Sequence, residues 1–496
     1  MNIKFFCLLV GILAILGVTS SRCVWAGVVV EKIDSDEGYL TVFRMTVTPA
    51  AEPVPALKYR LWLRPQDLKP GNSVVYYLRA FPDGGIERTW KDARQEFGEA
   101  VHEWYGSSVP IEELPLDKVR QASGLFNDRI EQMIRPGTMR RDADWGWDAV
   151  GLRGPEAIAY LLPHIQAMRS IGWAIALRTR LAIAEHRFED AIEDIRMNLR
   201  LGHDIGQEMF LVSSLVGMAI EGIANRTMID LIAAPNSPNL FWALTEVPTP
   251  LVDCREAVRL EMSLGLRIFP ILMEAETAEH SPAQWARLFR ENIQDFNTVS
   301  DGNPFLGDDV ARGLVATGMS LVAYPEAKQR LIAGGMAADE VEAMPVGQVI
   351  AIDTAREYRR IADEQEKWWY VPFGEAKRNR QRAQAVFEGP QTINFGKMIA
   401  NFLLPAINSA RNAQMRQDWQ KNALLTLEAL RMHAAETGAF PESLEEISVV
   451  PVPKNPITGQ SYVYRLEDGM AVLELPFSDG MPGMAWRFEL KLAQEE

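Results

Sequence analysis

Apolar positions recur along this chain in three successive rhythms. Between Val28 and about Phe81 they come as short clusters, VVVEKI, YLTVFRMTVTP, ALKYRLWL and VVYYLRAF, with Pro49, Pro53, Pro55, Pro65 and Pro70-Gly71-Asn72 between them. β-Branched and aromatic clusters bounded by proline and turn residues predict short strands, so residues 27–90 read as a small irregular β segment. From about Trp90 the spacing becomes helical and stays so to about residue 390, which predicts an α-helical domain over 91–394. Phe188, Ile192, Ile195 and Leu199 share one helical face there, while Glu193, Asp194, Arg196 and Arg200 fall elsewhere. The preceding run WAIALRTRLAIAEHRF predicts a partner helix joined through a very short turn. It resembles one tetratricopeptide hairpin, but no second copy follows at that repeat's period. Residues 210–232 are apolar on nearly every side in their first half and predict a central core helix. Glu221, Asn225 and Arg226 interrupt that helix, which speaks against a membrane span and for a buried polar network.

The third rhythm belongs to residues 395–496. Trp419, Ala423, Leu427, Leu430 and Ala434 make one stripe of a long helix, which Gly438 ends. Ser443-Leu444-Glu445-Glu446 has the form of a capping box. Pro451, Pro453 and Pro456 follow, then a turn at Thr458-Gly459 and two strand-like runs, SYVYRL and MAVLEL, joined through Asp468-Gly469 as a hairpin. The expected fold is mainly α: a multi-helix domain with a small β segment before it and a long helix plus small antiparallel sheet after it.

The first 26 residues change the picture of where this fold resides. A short basic start, the apolar run FFCLLVGILAILGV and Val24-Trp25-Ala26 before Gly27 predict a signal peptide cut after Ala26, and hence a periplasmic or envelope protein. The membrane becomes a partner only if that segment stays uncleaved as an anchor. Processing would remove Cys7 and Cys23 and leave Cys254 alone, so no intramolecular disulfide is expected. The whole chain carries 51 Lys+Arg against 66 Asp+Glu, a net charge of −15. Such an acidic surface repels phosphate backbones and excludes nucleic acid as a natural partner.

Candidate chemistry is sparse. His102-Glu103 lacks a second histidine four residues on, and the other histidines at 164, 186, 203, 280 and 433 are scattered, so no metal or cofactor is expected. There is no G-x-S-x-G turn. Cys254 sits where a helix begins, which lowers a thiol pKa, but a lone cysteine without a base reads as a packing residue. Asp142, Asp144 and Asp148 in RRDADWGWD start like a calcium loop, yet Trp147 replaces the turn glycine and Arg153 the closing glutamate, which excludes an EF-hand. The same carboxylates suit a glycosidase acid and base, with Trp145 and Trp147 stacking on sugar rings. GGMAADE and DGNPFLGDD read as turns, not phosphate loops.

Gly438, Phe440, Pro441, Ser443, Leu444, Asn455, Pro456, Gly459, Tyr462 and Tyr464 stand in an order that resembles the soluble part of type II secretion pseudopilins. FLLPAINSAR, residues 402–411, resembles the end of a pilin-type helix. Pilins carry that helix at the processed N-terminus, so the resemblance implies the local fold and not pilus assembly. The blocks PVPALKYRL, NLFWALTEVPTPLVD, AYPEAKQRLIAGG, KWWYVPF and VPVPKNPITGQ resemble a family of exported proteins of planctomycete bacteria. That resemblance implies export and a shared architecture and brings no catalytic residue. The leading expectation is a non-catalytic envelope component that binds another protein through its helices or its pilin-like tail. The alternative is an envelope hydrolase acting on glycan or peptide through carboxylates gathered by the fold, among Asp142, Asp144, Asp148, Glu221 and the neighbouring Arg226.

Overall fold

A computed structural model describes residues 27–493 apart from 36–37, 82–84, 107, 147–150, 152–163, 289–290, 292–308, 380–393 and 476–484. Asp148, Trp147, Arg153 and most of DGNPFLGDD lie outside the described residues, as does the predicted signal segment.

Two strands from the start of the chain and three from its end share one sheet. Strands β1 (Val29–Ser35) and β2 (Gly38–Val47) pair as an antiparallel hairpin. Short strands β3 (Lys69–Asn72) and β4 (Arg140–Asp142) pair in parallel elsewhere. Strands β5 (Val463–Glu467), β6 (Met470–Leu475) and β7 (Ala485–Leu492) complete the order β1-β2-β7-β6-β5, with β2 and β7 parallel and the other neighbours antiparallel. The two β segments expected at opposite ends of the chain are therefore one mixed sheet. Alternation explains the join: Phe43, Met45 and Val47 face the core in register with Phe488, Leu490 and Leu492, and the Phe43 and Phe488 rings stack 4.9 Å apart.

The opposite face of the sheet carries a ladder of alternating charge through all five strands. Glu31 meets Arg44 at 2.6 Å, Arg44 meets Glu489 at 2.8 Å, and Arg487 lies 3.9 Å from Glu489 and 2.5 Å from Glu474. Arg465 then bridges Glu474 at 2.8 Å and Glu467 at 2.9 Å. Val42 and Val472 share this face and are buried.

Two runs expected as strands take other forms. ALKYRLWL is a series of turns, and VVYYLRAF forms a short helix over Val74–Leu78. Spacing decides the second case: Val74 and Tyr77, three apart, both turn into the helical core, and the Tyr77 hydroxyl donates to Asp204 at 2.7 Å.

The helices α1 (Gly85–Phe97), α2 (Leu116–Arg129), α3 (His164–Ala184) and α4 (Phe188–Gly206) build one core, with α3 and α4 forming the expected hairpin around Glu185–Arg187. Helix α5 (Leu211–Ala233) is central, because it feeds three cores. Val216 and Ile220 join α1–α4, Leu211 and Met218 join α6 (Arg255–Arg267) and α8 (Val346–Glu366), and Ala224 to Ala233 join the sheet. Helix α7 (Asp309–Ala333) packs on α8. Close approach of α4 and α5 rests on two glycines: a Cβ on Gly202 would stand 2.8 Å from the Gly217 carbonyl oxygen.

Helix α9 (Phe395–Thr437) is capped by Asn394, whose side chain accepts from the Lys397 amide, and ended by Gly438 at φ 79°. Trp419, Ala423, Leu427, Leu430 and Ala434 are all buried against the sheet and its neighbours. Arg431, buried on the same helix, bonds Glu428 at 2.8 Å, the Thr48 carbonyl at 3.0 Å and the Ser237 carbonyl at 2.8 Å, tying three segments together. After Gly438 the expected capping box is incomplete. Ser443 makes no capping bond, and Glu446 accepts from the Glu442 amide, because only a single turn, Leu444–Glu446, follows. Tyr464 pins this corner to the sheet by donating to the Pro441 carbonyl at 2.8 Å. Asp468 and Gly469, both at positive φ, make the β5–β6 turn. Among the described residues no helix is long and apolar enough to cross a membrane.

Candidate functional site

Asp142 ends β4 and Asp144 follows it, both at the surface. Asp144 is a turn former: its carboxylate accepts from the Gly146 amide at 2.9 Å, and its own amide donates to the Asn72 side chain at 3.0 Å. Trp145 is no sugar platform, since it is buried, stacks on His164 at 4.8 Å and donates to the Asp204 carbonyl at 2.8 Å. Among the described residues no three His, Cys, Asp or Glu side chains converge as metal ligands.

Glu221 belongs to a different place. It is 3% exposed on the α9-facing side of α5, where Asp418, 8% exposed, and Lys421 approach it from α9. Burial, reinforced by Asp418, pushes the Glu221 carboxyl up to about 8. Burial against the opposing pull of Lys421 raises Asp418 to about 7. The Lys421 ammonium, lowered by burial, donates to the Thr249 hydroxyl at 2.6 Å and to the Val247 carbonyl. Beside them the Asn225 amide donates to Gln417 at 3.2 Å. Helix α4 separates this seam from Asp142 and Asp144. Its Gly202 touches α5, whereas Arg200, about 200° around the helix from Gly202, donates to the Arg140 and Arg141 carbonyls at 2.9 and 3.1 Å. Arg226, one residue beyond Asn225, turns out of the seam and is exposed.

Two nucleophilic arrangements among the described residues fail on geometry. Cys254 is the N-cap of α6, fully buried, 2.9 Å from the Gln414 side-chain oxygen, and burial together with Asp253 pushes its thiol up to about 12. Ser213, Glu208 and His164 meet in the core, but the carboxylate stands in the middle, accepting from Ser213 and lying 3.1 Å from His164. A serine relay needs the histidine between serine and acid, so this trio cannot move the serine proton onto imidazole.

One accessible concave site among the described residues was missed by sequence reading. A groove of about 330 Å³ runs between β3 and α4, lined by Trp62, Lys69, Arg135, Glu193, Arg196 and Arg200. Arg200 lies over the Trp62 ring at 5.6 Å, and its Nε is 2.8 Å from Asp204. Arg135 bonds Glu131 at 2.7 Å and also Glu193, while Arg196 stands 3.4 Å from Glu193. The Lys69 ammonium has no ion pair among the described residues. Four cations thus surround a single lining carboxylate, over a floor that includes Pro136, Met139 and Met197. The available sequence signal was the i, i+4 pair Arg196 and Arg200 on α4; the other two cations, Lys69 and Arg135, come from segments far from that helix in the chain.

No protein-family model, curated protein or solved structure matches the chain.

Proposed function

We propose that this protein is a non-catalytic envelope component that binds another protein by taking an acidic segment of it into the groove at Trp62, Lys69, Arg135, Arg196 and Arg200. The observation that carries this reading is the gathering of four cations around one concave surface of a chain whose net charge is −15. Guanidinium forks suit carboxylates in geometry as well as charge, and the aromatic and thioether floor suits the aliphatic parts of an extended segment. The envelope location rests on the signal-peptide pattern of residues 1–26. A pseudopilin-like reading of residues 395–496 is supported by the long helix, the pinned corner and the hairpin; the addition of β2 beside β7 departs from it. The hydrolase alternative draws on Glu221 and Asp418, whose raised pKa values suit acid–base work, but both are sealed between helices.

Fluorescence anisotropy with a labelled Glu/Asp-rich peptide tests the groove. Binding should weaken as salt rises, and Arg196→Glu should weaken it about tenfold, which is about 1.4 kcal/mol. Equal binding by wild type and variant, or none by either, would remove the groove as the docking site.

A further inference from the structure

Two adjacent acidic residues of α4 are placed differently. Asp194 is buried and gripped by Arg178, whose Nε donates to it at 2.8 Å. Glu193 lines the groove beside α4 and keeps 45% of its side chain in solvent. Its two carboxylate oxygens go to different arginines: Oε2 accepts from Nη1 of Arg135, and Oε1 lies 3.4 Å from Nη2 of Arg196. No other hydrogen bond or ion pair holds Glu193 or Arg196 among the described residues.

Arg135, by contrast, is fixed from behind. Its Nε donates to one oxygen of Glu131 at 2.7 Å, and its Nη2 donates to the other at 3.1 Å and stands 3.8 Å from Asp194. Arg178 in turn bonds both of those acids. The Arg135 guanidinium therefore keeps its place whether or not Glu193 stays, whereas a half-exposed glutamate on a helix has other staggered conformers that carry its carboxylate into solvent.

We propose that the point between Arg135 and Arg196 is a carboxylate subsite, filled in the unliganded protein by Glu193 and taken over by a glutamate or aspartate side chain of the bound segment. The subsite rests on the acidic-segment reading of the groove, and it specifies where a ligand carboxylate sits and what that carboxylate displaces. One carboxylate shared between two guanidiniums is a charge-assisted arrangement that a ligand side chain reproduces atom for atom. Half-exposed ion pairs contribute little, so the exchange costs the ligand no more than about tenfold in affinity. Glu193 is thus an internal competitor: an acidic segment replaces it bond for bond, and a neutral one cannot.

Anisotropy titrations of the whole protein with the labelled Glu/Asp-rich peptide test this, comparing wild type with Glu193→Ala and the isosteric Glu193→Gln. Glu189→Ala controls for charge alone, since Glu189 is exposed one helical turn earlier and does not line the groove. Both Glu193 variants should bind about three- to tenfold more tightly than wild type, and Glu189→Ala should change affinity less than about twofold. On an Arg135→Gln background the gain from Glu193→Ala should shrink, because only Arg196 is then released. Unchanged or weaker binding by both Glu193 variants, while Arg196→Glu still weakens the wild type, would overturn the subsite and leave the groove standing. An equal gain with and without Arg135 would also overturn it, since Glu193 would then act through its charge alone. Binding by none of the proteins would remove groove and subsite together.

Discussion

Glu221 and Asp418 make the α5–α9 seam sensitive to protons. Their folded-state values, about 8 and about 7, lie above those of exposed carboxylates, so the folded protein binds more protons than the unfolded chain between about pH 4 and pH 8. This contribution to stability is present in acid and is lost as pH rises through 7 and 8. Neutral amides remove the dependence: Glu221→Gln and Asp418→Asn should each exceed wild type by about 2 kcal/mol near pH 8.5, with the gap closing toward about pH 4.5. Urea unfolding at the two pH values measures it, and a gap independent of pH would rule out buried ionisation as the cause. The sequence announced half of this cluster, because a glutamate and an asparagine inside an otherwise apolar helix need polar partners. It could not name Asp418 and Lys421, which sit on a helix almost 200 residues away, on either side of Trp419 in its apolar stripe. Nor could it separate Asn225 from Arg226: one residue is a turn of about 100° on a helix, enough to put the first in the seam and the second in solvent.

Contact between helices here depends on what is missing from the backbone. A methyl group at Gly202 would press on the Gly217 carbonyl, which belongs to rigid helix and cannot swing aside. Gly202→Ala should therefore cost about 2 kcal/mol through separation of α4 from α5. Gly124 in α2 is the control, since a Cβ there meets nothing within 4 Å. Gly124→Ala should raise stability by about 0.5–1 kcal/mol through helix propensity alone. Thermal unfolding of both variants checks the pair, and similar shifts in the same direction would contradict close packing as the distinguishing factor. Most long helices were legible from their three-and-four spacing, and so was the glycine that ends α9. Short elements were less so. The run at Val74–Leu78 has the composition of a strand, but burial of Val74 and Tyr77 together is possible only on a helix, and tertiary contact outweighed propensity. The groove was least legible, because its cations become neighbours only after β3, the helical turn at Arg135 and α4 have met.

At the scale of the whole molecule, the two ends of the chain share one unit of structure. Phe43 near the start stacks on Phe488 and lies 5.0 Å from Trp486, which in turn contacts Trp419. Phe43→Ala should cost about 3–5 kcal/mol, and tryptophan fluorescence should report the loss in the same transition as helix melting. A separate early transition for the hairpin would show that the ends fold independently. Each β segment could be read from its alternation and its turns, but a two-residue period says nothing about which distant strand will lie alongside. That distance has a consequence in time. Synthesis yields the β1–β2 hairpin first and its neighbour β7 last, so the inner edge of β2 stays open while more than 400 residues are made. A chain interrupted before Ala485 keeps that edge exposed, ready to pair with another copy or to be recognised and degraded. Arrival of β7 thus closes the one edge that the hairpin leaves open towards the centre of the sheet, and with it the route to mispairing.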